Sequence, residues 1–331
     1  MEETRAESLP PPPGVISSIR AGFDAIAAHL TAIFLPLALD IFLWLGPRLS
    51  MEKLYLSILP QMVEGWRILG VPTEQVKQML ASNAEILPRV NLFWFLRTIP
   101  VGISSLIYGH GFSGTPLGSI SIIQVGSAGK FFGWIFLLTI VGWLGGGLYF
   151  RSVSRLVAGK SGSESLSIVR STLQTILLSI LCTGIVIVIG IPVLVILTLL
   201  ASVSTFIAQI SILFLSFLSM WVIVPLFFWP HGMFLKKQNV IVSIFSSLSM
   251  SRFTLPTSSM FVLTVLLLSV GLNFLWSIPP ENSWMALVGI IGHAFVATAL
   301  LAASFIYYRD MNIWLQTVRD RLNKTTLTRS A

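Results

Sequence analysis

AIFLPLALDIFLWLGP, residues 32–47, carries one charge, Asp40, in an otherwise aliphatic and aromatic run. Runs of this kind recur along the chain, at about 26–45, 131–150, 173–200, 203–228, 257–276 and 284–308. Each is close to the 20 or so residues that cross a hydrocarbon core about 30 Å thick at 1.5 Å per residue. Of 331 residues, 54% are hydrophobic and 10% charged, against about 25% charged in a soluble domain, and the mean hydropathy is +0.85. Backbone polar groups within lipid must be satisfied internally, so these blocks read as helices. The expectation is an all-α polytopic membrane helix bundle, with six transmembrane helices in three hairpins plus amphipathic interfacial helices.

Charge sets the expected threading. With the N-terminus inside, 14 of the 21 Lys and Arg fall on the inner side, among them Arg20, Arg151, Arg170, Lys236, Arg309 and Arg319. The short outer loops near 201 and at 277–283 hold none, and the other seven lie in the long segment 46–130. This asymmetry is that of a bacterial-type plasma membrane protein with both termini cytoplasmic. The net charge of +8 is thereby explained without nucleic acid as a partner. Residues 1–14, MEETRAESLPPPPG, are polar and proline-rich, so they read as disordered and not as a signal peptide. Residues 15–331 read as one membrane domain.

Within it, 46–130 reads as an outer insertion with one or two short amphipathic helices, one capped at Thr73. NLFWFLRTIPVGISSLIYG, 91–109, is apolar but interrupted by Arg97 and Pro100. Counting it as a span would spoil the charge asymmetry, so about 91–107 reads as a re-entrant or interfacial helix. On the inner side, 309–331 is basic and amphipathic, with Met311, Trp314, Val318 and Leu322 on one face. It and 234–253 are expected on the membrane surface.

The three hairpins share a plan. Each enters through a Ser-rich segment, VISSIRAGF (15–23), SLSIVRSTL (165–173) and VIVSIFSSL (240–248). Aligning Ser18, Ser167 and Ser243 places small residues four positions on, at Gly22, Ser171 and Ser247. Each hairpin leaves through an aromatic and basic stretch, LYFRSVSR, FFWPHGMFLKK or FIYYRDMN. This plan, with the Tyr307–Asp310 exit, resembles the six-helix membrane domain fused to some bacterial glycerophosphodiester phosphodiesterases and its stand-alone inner-membrane relatives. The resemblance covers the spans; the long segment 46–130 and the lack of a phosphodiesterase domain depart from it. It implies a six-helix bundle that assists other membrane proteins or handles lipids, and it transfers no catalytic residue.

Chemical motifs are sparse. GHGFSG, 109–114, spells G-x-G-x-x-G, but Pro116 follows it and no strand–helix context frames it, so it reads as a loop. His29, His110, His231 and His293 lack metal-ligand spacing, and the single Cys182 has no partner. No cofactor and no metal are expected. No nucleophile and base can be paired from the sequence, which points away from an enzyme. Gly142 and Gly146 form GxxxG, read as close helix packing.

The intramembrane polar residues remain: Asp40, Arg97, His293 and Asn273. A charge within a span faces protein or water and marks a candidate functional site. Asp40 lies roughly 21 Å along its helix from Ile26, near the outer boundary. Three readings stand for it: a pair with Arg97, snorkelling to the interface, or a proton or cation site shared with Asn273. Pro36, on its face, is expected to kink the span. The functional expectation is a non-enzymatic structural or accessory bundle contacting lipids or partner membrane proteins; the alternative is a transporter or permease for a lipid-like or small solute.

Overall fold

The structure, a computed structural model, describes residues 10–107, 114–159 and 167–330. It is almost wholly helical. In chain order, α1 (Val15–Ala27) leads through a 3₁₀ turn (Leu30–Ile33) to α2 (Phe34–Leu45), strand β1 (Arg48–Ser50), α3 (Glu52–Ile68) and α4 (Thr73–Ile86). Strand β2 (Ile122–Gln124), α5 (Ala128–Ala158), α6 (Ile168–Ile185), α7 (Ile191–Val203), α8 (Thr205–Lys236), α9 (Val240–Trp276) and α10 (Ala286–Ser330) follow. Among the described residues, five helical stretches are long and apolar enough to cross a membrane, or six if the bent pair Val15–Ala27 and Leu30–Leu45 makes one span. The all-α bundle is therefore as the sequence implies, and the chain is a multi-pass membrane protein.

Several expectations change in detail. The first span is not continuous over 26–45: helix breaks after Ala27, and Pro36 is the third residue of α2. The first four N–H groups of a helix lack partners anyway, so proline there helps start a helix and does not kink one. The surface stretches 234–253 and 309–331 are continuous with spans. The first runs through α8 and α9, with a kink at Thr254 (φ −124°, ψ 20°), and the second is the end of α10. Pro192 follows a single π-helical turn, Val186–Gly190, that links α6 to α7. Of 1–14, only 10–14 lies within the described residues, and there Trp314 Nε1 donates to the Pro10 carbonyl at 2.7 Å. The motif at 109–114 lies mostly outside the described residues.

The chain forms two compact units. One contains Met1–Leu30, Phe150–Ser269 and Thr298–Ala331, and the other Thr31–Tyr149 and Val270–Ala297. The core of the first is aromatic. Phe261 and Tyr307 stack at 4.1 Å and 9°, and Phe228 lies 5.9 Å from both Tyr307 and Tyr308. Ser243 and Ser247 of α9 donate to the carbonyls of Trp229 and Phe228 in α8, beside Pro230, at 2.5 and 3.0 Å.

The repeat is clearer here than in the sequence, and its register differs. α1, α6 and α9 each carry a buried serine as fourth residue, Ser18, Ser171 and Ser243, and a buried small residue as eighth, Gly22, Thr175 and Ser247. Ser167 is instead the N-cap of α6, accepting from the Arg170 amide. The close approach is real at Gly22, where a Cβ would lie 2.5 Å from the Ala299 carbonyl. Against this tight packing, no side chain from 183 to 203 is buried. Large aliphatic side chains facing out in that number suit lipid contact.

In the second unit, β1 and β2 pair in parallel, Arg48 with Ile122 through Ser50 with Gln124. Segment 46–130 was expected to hold one or two helices and holds two, α3 and α4, joined by Asn83 Nδ2 donating to the Tyr55 hydroxyl at 2.8 Å. Thr73 is the first residue of α4 and not its cap, which is Pro72. Trp44 donates to the Glu281 carbonyl at 2.9 Å and meets Trp284 edge-on at 5.8 Å.

Candidate functional site

The apolar stretch 91–107 is helical only as a 3₁₀ turn, Leu92–Leu96. Asn91 caps it: its Oδ1 accepts from the amides of Phe93 and Leu49, both at 3.1 Å. Beyond Arg97 the backbone is irregular, yet Val101, Ser105 and Ile107 are buried. A re-entrant or interfacial helix was the expectation. Pro100 and Gly102 weaken helix here, and α5 offers a surface that accepts bare backbone.

That surface is the GxxxG of α5. A Cβ on Gly142 would lie 2.6 Å from the Leu96 carbonyl, and one on Gly146 would lie 2.7 Å from both Val101 O and Gly102 Cα. The two glycines therefore serve close packing, but the partner is the end of the 3₁₀ turn and the irregular chain after it, not another span. Irregular backbone at membrane depth is tolerated only when buried in protein like this.

The segment delivers two adjacent serines to the candidate residues. Asp40 is fully buried, accepts a hydrogen bond from the Ser105 hydroxyl, and accepts the Leu106 amide at 3.0 and 3.1 Å through its two oxygens. Ser104 Oγ lies 3.1 Å from His293 Nε2, and His293 Nδ1 lies 2.7 Å from Asn273 Oδ1. With the Asn273 oxygen facing Nδ1, that nitrogen carries the proton, and Nε2 accepts from Ser104. Arg97 is near enough for its charge to act on both Asp40 and His293.

All four sequence candidates thus converge, though not as paired. Asp40 is bonded by a hydroxyl and backbone amides, and Arg97 is a neighbouring charge, not its hydrogen-bond partner. Asn273 belongs to His293 and not to Asp40. Sequence reasoning missed Ser104 and Ser105, which carry no charge and sit in a stretch that looked helical. His29, by contrast, is exposed and bonds its own helix at the Ala25 carbonyl.

Ser104, His293 and Asn273 stand in the hydrogen-bond order of a nucleophile, base and orienting group. Acyl transfer also needs donors aimed at a developing oxyanion. The adjacent Leu106 amide is already bonded to Asp40, so the arrangement holds the segment and offers that amide to nothing else. Among the described residues, no group of three or more His, Cys, Asp or Glu could hold a metal ion. Cys182 is buried and free. No family model, curated protein or solved structure matches the chain.

Proposed function

We propose that the protein is a non-enzymatic, structural or accessory membrane bundle that contacts lipids or partner membrane proteins through its outward apolar hairpin. The observation that supports this is the use of its intramembrane polar groups. Asp40, His293 and Asn273 are bonded inward, tying the irregular segment to α2, α9 and α10. A solute site would leave such groups facing an aqueous path. The charge distribution further supports a bacterial-type plasma membrane with both termini cytoplasmic. The resemblance to the membrane domain of glycerophosphodiester phosphodiesterases fits the same reading.

A second reading, transport, draws on one feature: Asp40 and His293 are joined through consecutive serines, a run of exchangeable protons. Reconstituted vesicles separate the two. The accessory reading expects proton and solute flux equal to that of empty vesicles; flux above that level, lost in Asp40→Asn, would replace it with the transport reading.

A further inference from the structure

We propose that the cavity between the ends of α8, α9 and α10 is a phosphate site that holds the headgroup of an anionic phospholipid of the membrane's inner leaflet. The proposal deepens the lipid-contact reading above and rests on its inner-side assignment of these helix ends.

The cavity has a volume of about 250 Å³ and is lined by Lys236, Ser246, Ser249, Asn312, Gln316 and Arg319, with Met250 and Leu315. Two cations and four neutral hydrogen-bonding side chains make its polar wall, and among the described residues no carboxylate lines it. Lys236 Nζ donates to Asn312 Oδ1 at 2.6 Å and lies 5.6 Å from the Tyr308 ring centroid. Arg319 lies 5.6 Å from the Phe253 ring centroid. Aromatic faces and an amide orient these two charges without neutralising them. Two other cations of the same unit, Arg309 and Arg170, are spent internally. Arg309 pairs with Asp310 and donates to the Val157 carbonyl, and Arg170 bonds the Lys237 carbonyl and Asn239.

Lys236 and Arg319 are both exposed, and the side chains beside them in the cavity wall are neutral, so an anion seated there gains charge-assisted hydrogen bonds from both. A phosphate group suits the wall: its oxygens accept from ammonium, guanidinium, hydroxyl and amide N–H alike. The site lies where α8 ends and α10 runs on past its apolar span, the level at which basic residues meet anionic lipid headgroups. Free phosphate offers the same oxygens, so the source must be separated by experiment.

The test uses the full chain in a mild detergent, titrated with short-chain phosphatidylglycerol, short-chain phosphatidylcholine or inorganic phosphate, with bound ligand counted by native mass spectrometry. Phosphatidylglycerol should bind the wild type more tightly than phosphatidylcholine does. Arg319→Gln and Lys236→Gln should each weaken phosphatidylglycerol binding about five-fold, taking about 1 kcal/mol per basic residue. Ser249→Glu should weaken it at least as much, and phosphatidylcholine binding should not move. Ser249 and Arg319 are exposed, so these two variants stay interpretable if Lys236→Gln, which loses the Asn312 bond, melts early. Saturable binding of inorganic phosphate that the same substitutions abolish would support the pocket and assign it to free phosphate as well. Phosphatidylglycerol binding unchanged in Arg319→Gln and Ser249→Glu would overturn the proposal. That result with no flux in vesicles removes the pocket and keeps the accessory bundle; flux removes the bundle reading whatever the pocket does.

Discussion

The glycine face of α5 gives the most discriminating stability prediction. In Gly146→Ala the new methyl would lie 2.7 Å from Val101 O and Gly102 Cα, and in Gly142→Ala it would lie 2.6 Å from Leu96 O. Ordinary contact is nearer 3.5 to 4 Å, so the 96–102 backbone must move outward by about 1 Å. Overpacking of this kind costs about 1–3 kcal/mol. Alanine in a helix recovers about 0.5–1 kcal/mol relative to glycine. Gly133, on the same helix, has nothing within 4 Å of its added Cβ, so Gly133→Ala receives the propensity gain alone. Thermal unfolding in lipid nanodiscs should then place Gly133→Ala above wild type, and Gly142→Ala and Gly146→Ala below Gly133→Ala by about 1–3 kcal/mol. Both tight sites displace one segment, so Gly142→Ala/Gly146→Ala should cost less than the sum of its parts. Equal stability of Gly133→Ala and Gly146→Ala would refute the close backbone approach.

Two further outcomes follow from the aromatic core and the lone thiol. Tyr307 stacks on Phe261 and bonds Ser258 at 3.3 Å, so Tyr307→Phe should cost at most about 1 kcal/mol and Tyr307→Ala about 3–5 kcal/mol, both measured by nanodisc melting. Cys182 is 8% exposed and the only cysteine, so a maleimide should label the folded protein slowly and the denatured protein at once; rapid labelling when folded would contradict the packing of α6.

Much of the architecture was legible because long apolar runs have one solution in lipid: the five runs from 131–150 onward lie in helices able to cross a membrane, and 26–45 does so only if its bent pair makes one span. The exact ends were not, because amphipathic stretches such as 234–253 continue a helix as readily as they begin a new one. Asp40 was conspicuous as a charge within a span, but charge complementarity pointed to Arg97. The bonds come from Ser105 and a backbone amide, groups that hydropathy does not single out. Gly142 and Gly146 announced a close approach without naming its partner. Pro100 and Gly102 were the signal that 97–107 would not stay helical. Lys236 and Arg319 served in the sequence only to set orientation, since nothing in their spacing shows that α8, α9 and α10 bring them to one cavity.

Asp40 holds the fold by tying the irregular segment to α2. A double-mutant cycle on Asp40→Asn and Ser105→Ala, followed by thermal stability in nanodiscs, tests it most directly. Polar couplings within membranes run about 0.6–2 kcal/mol. Each single substitution should destabilise, and the double should cost less than their sum by an amount in that range. A neutral or stabilising Asp40→Asn, with no coupling to Ser105, would contradict it.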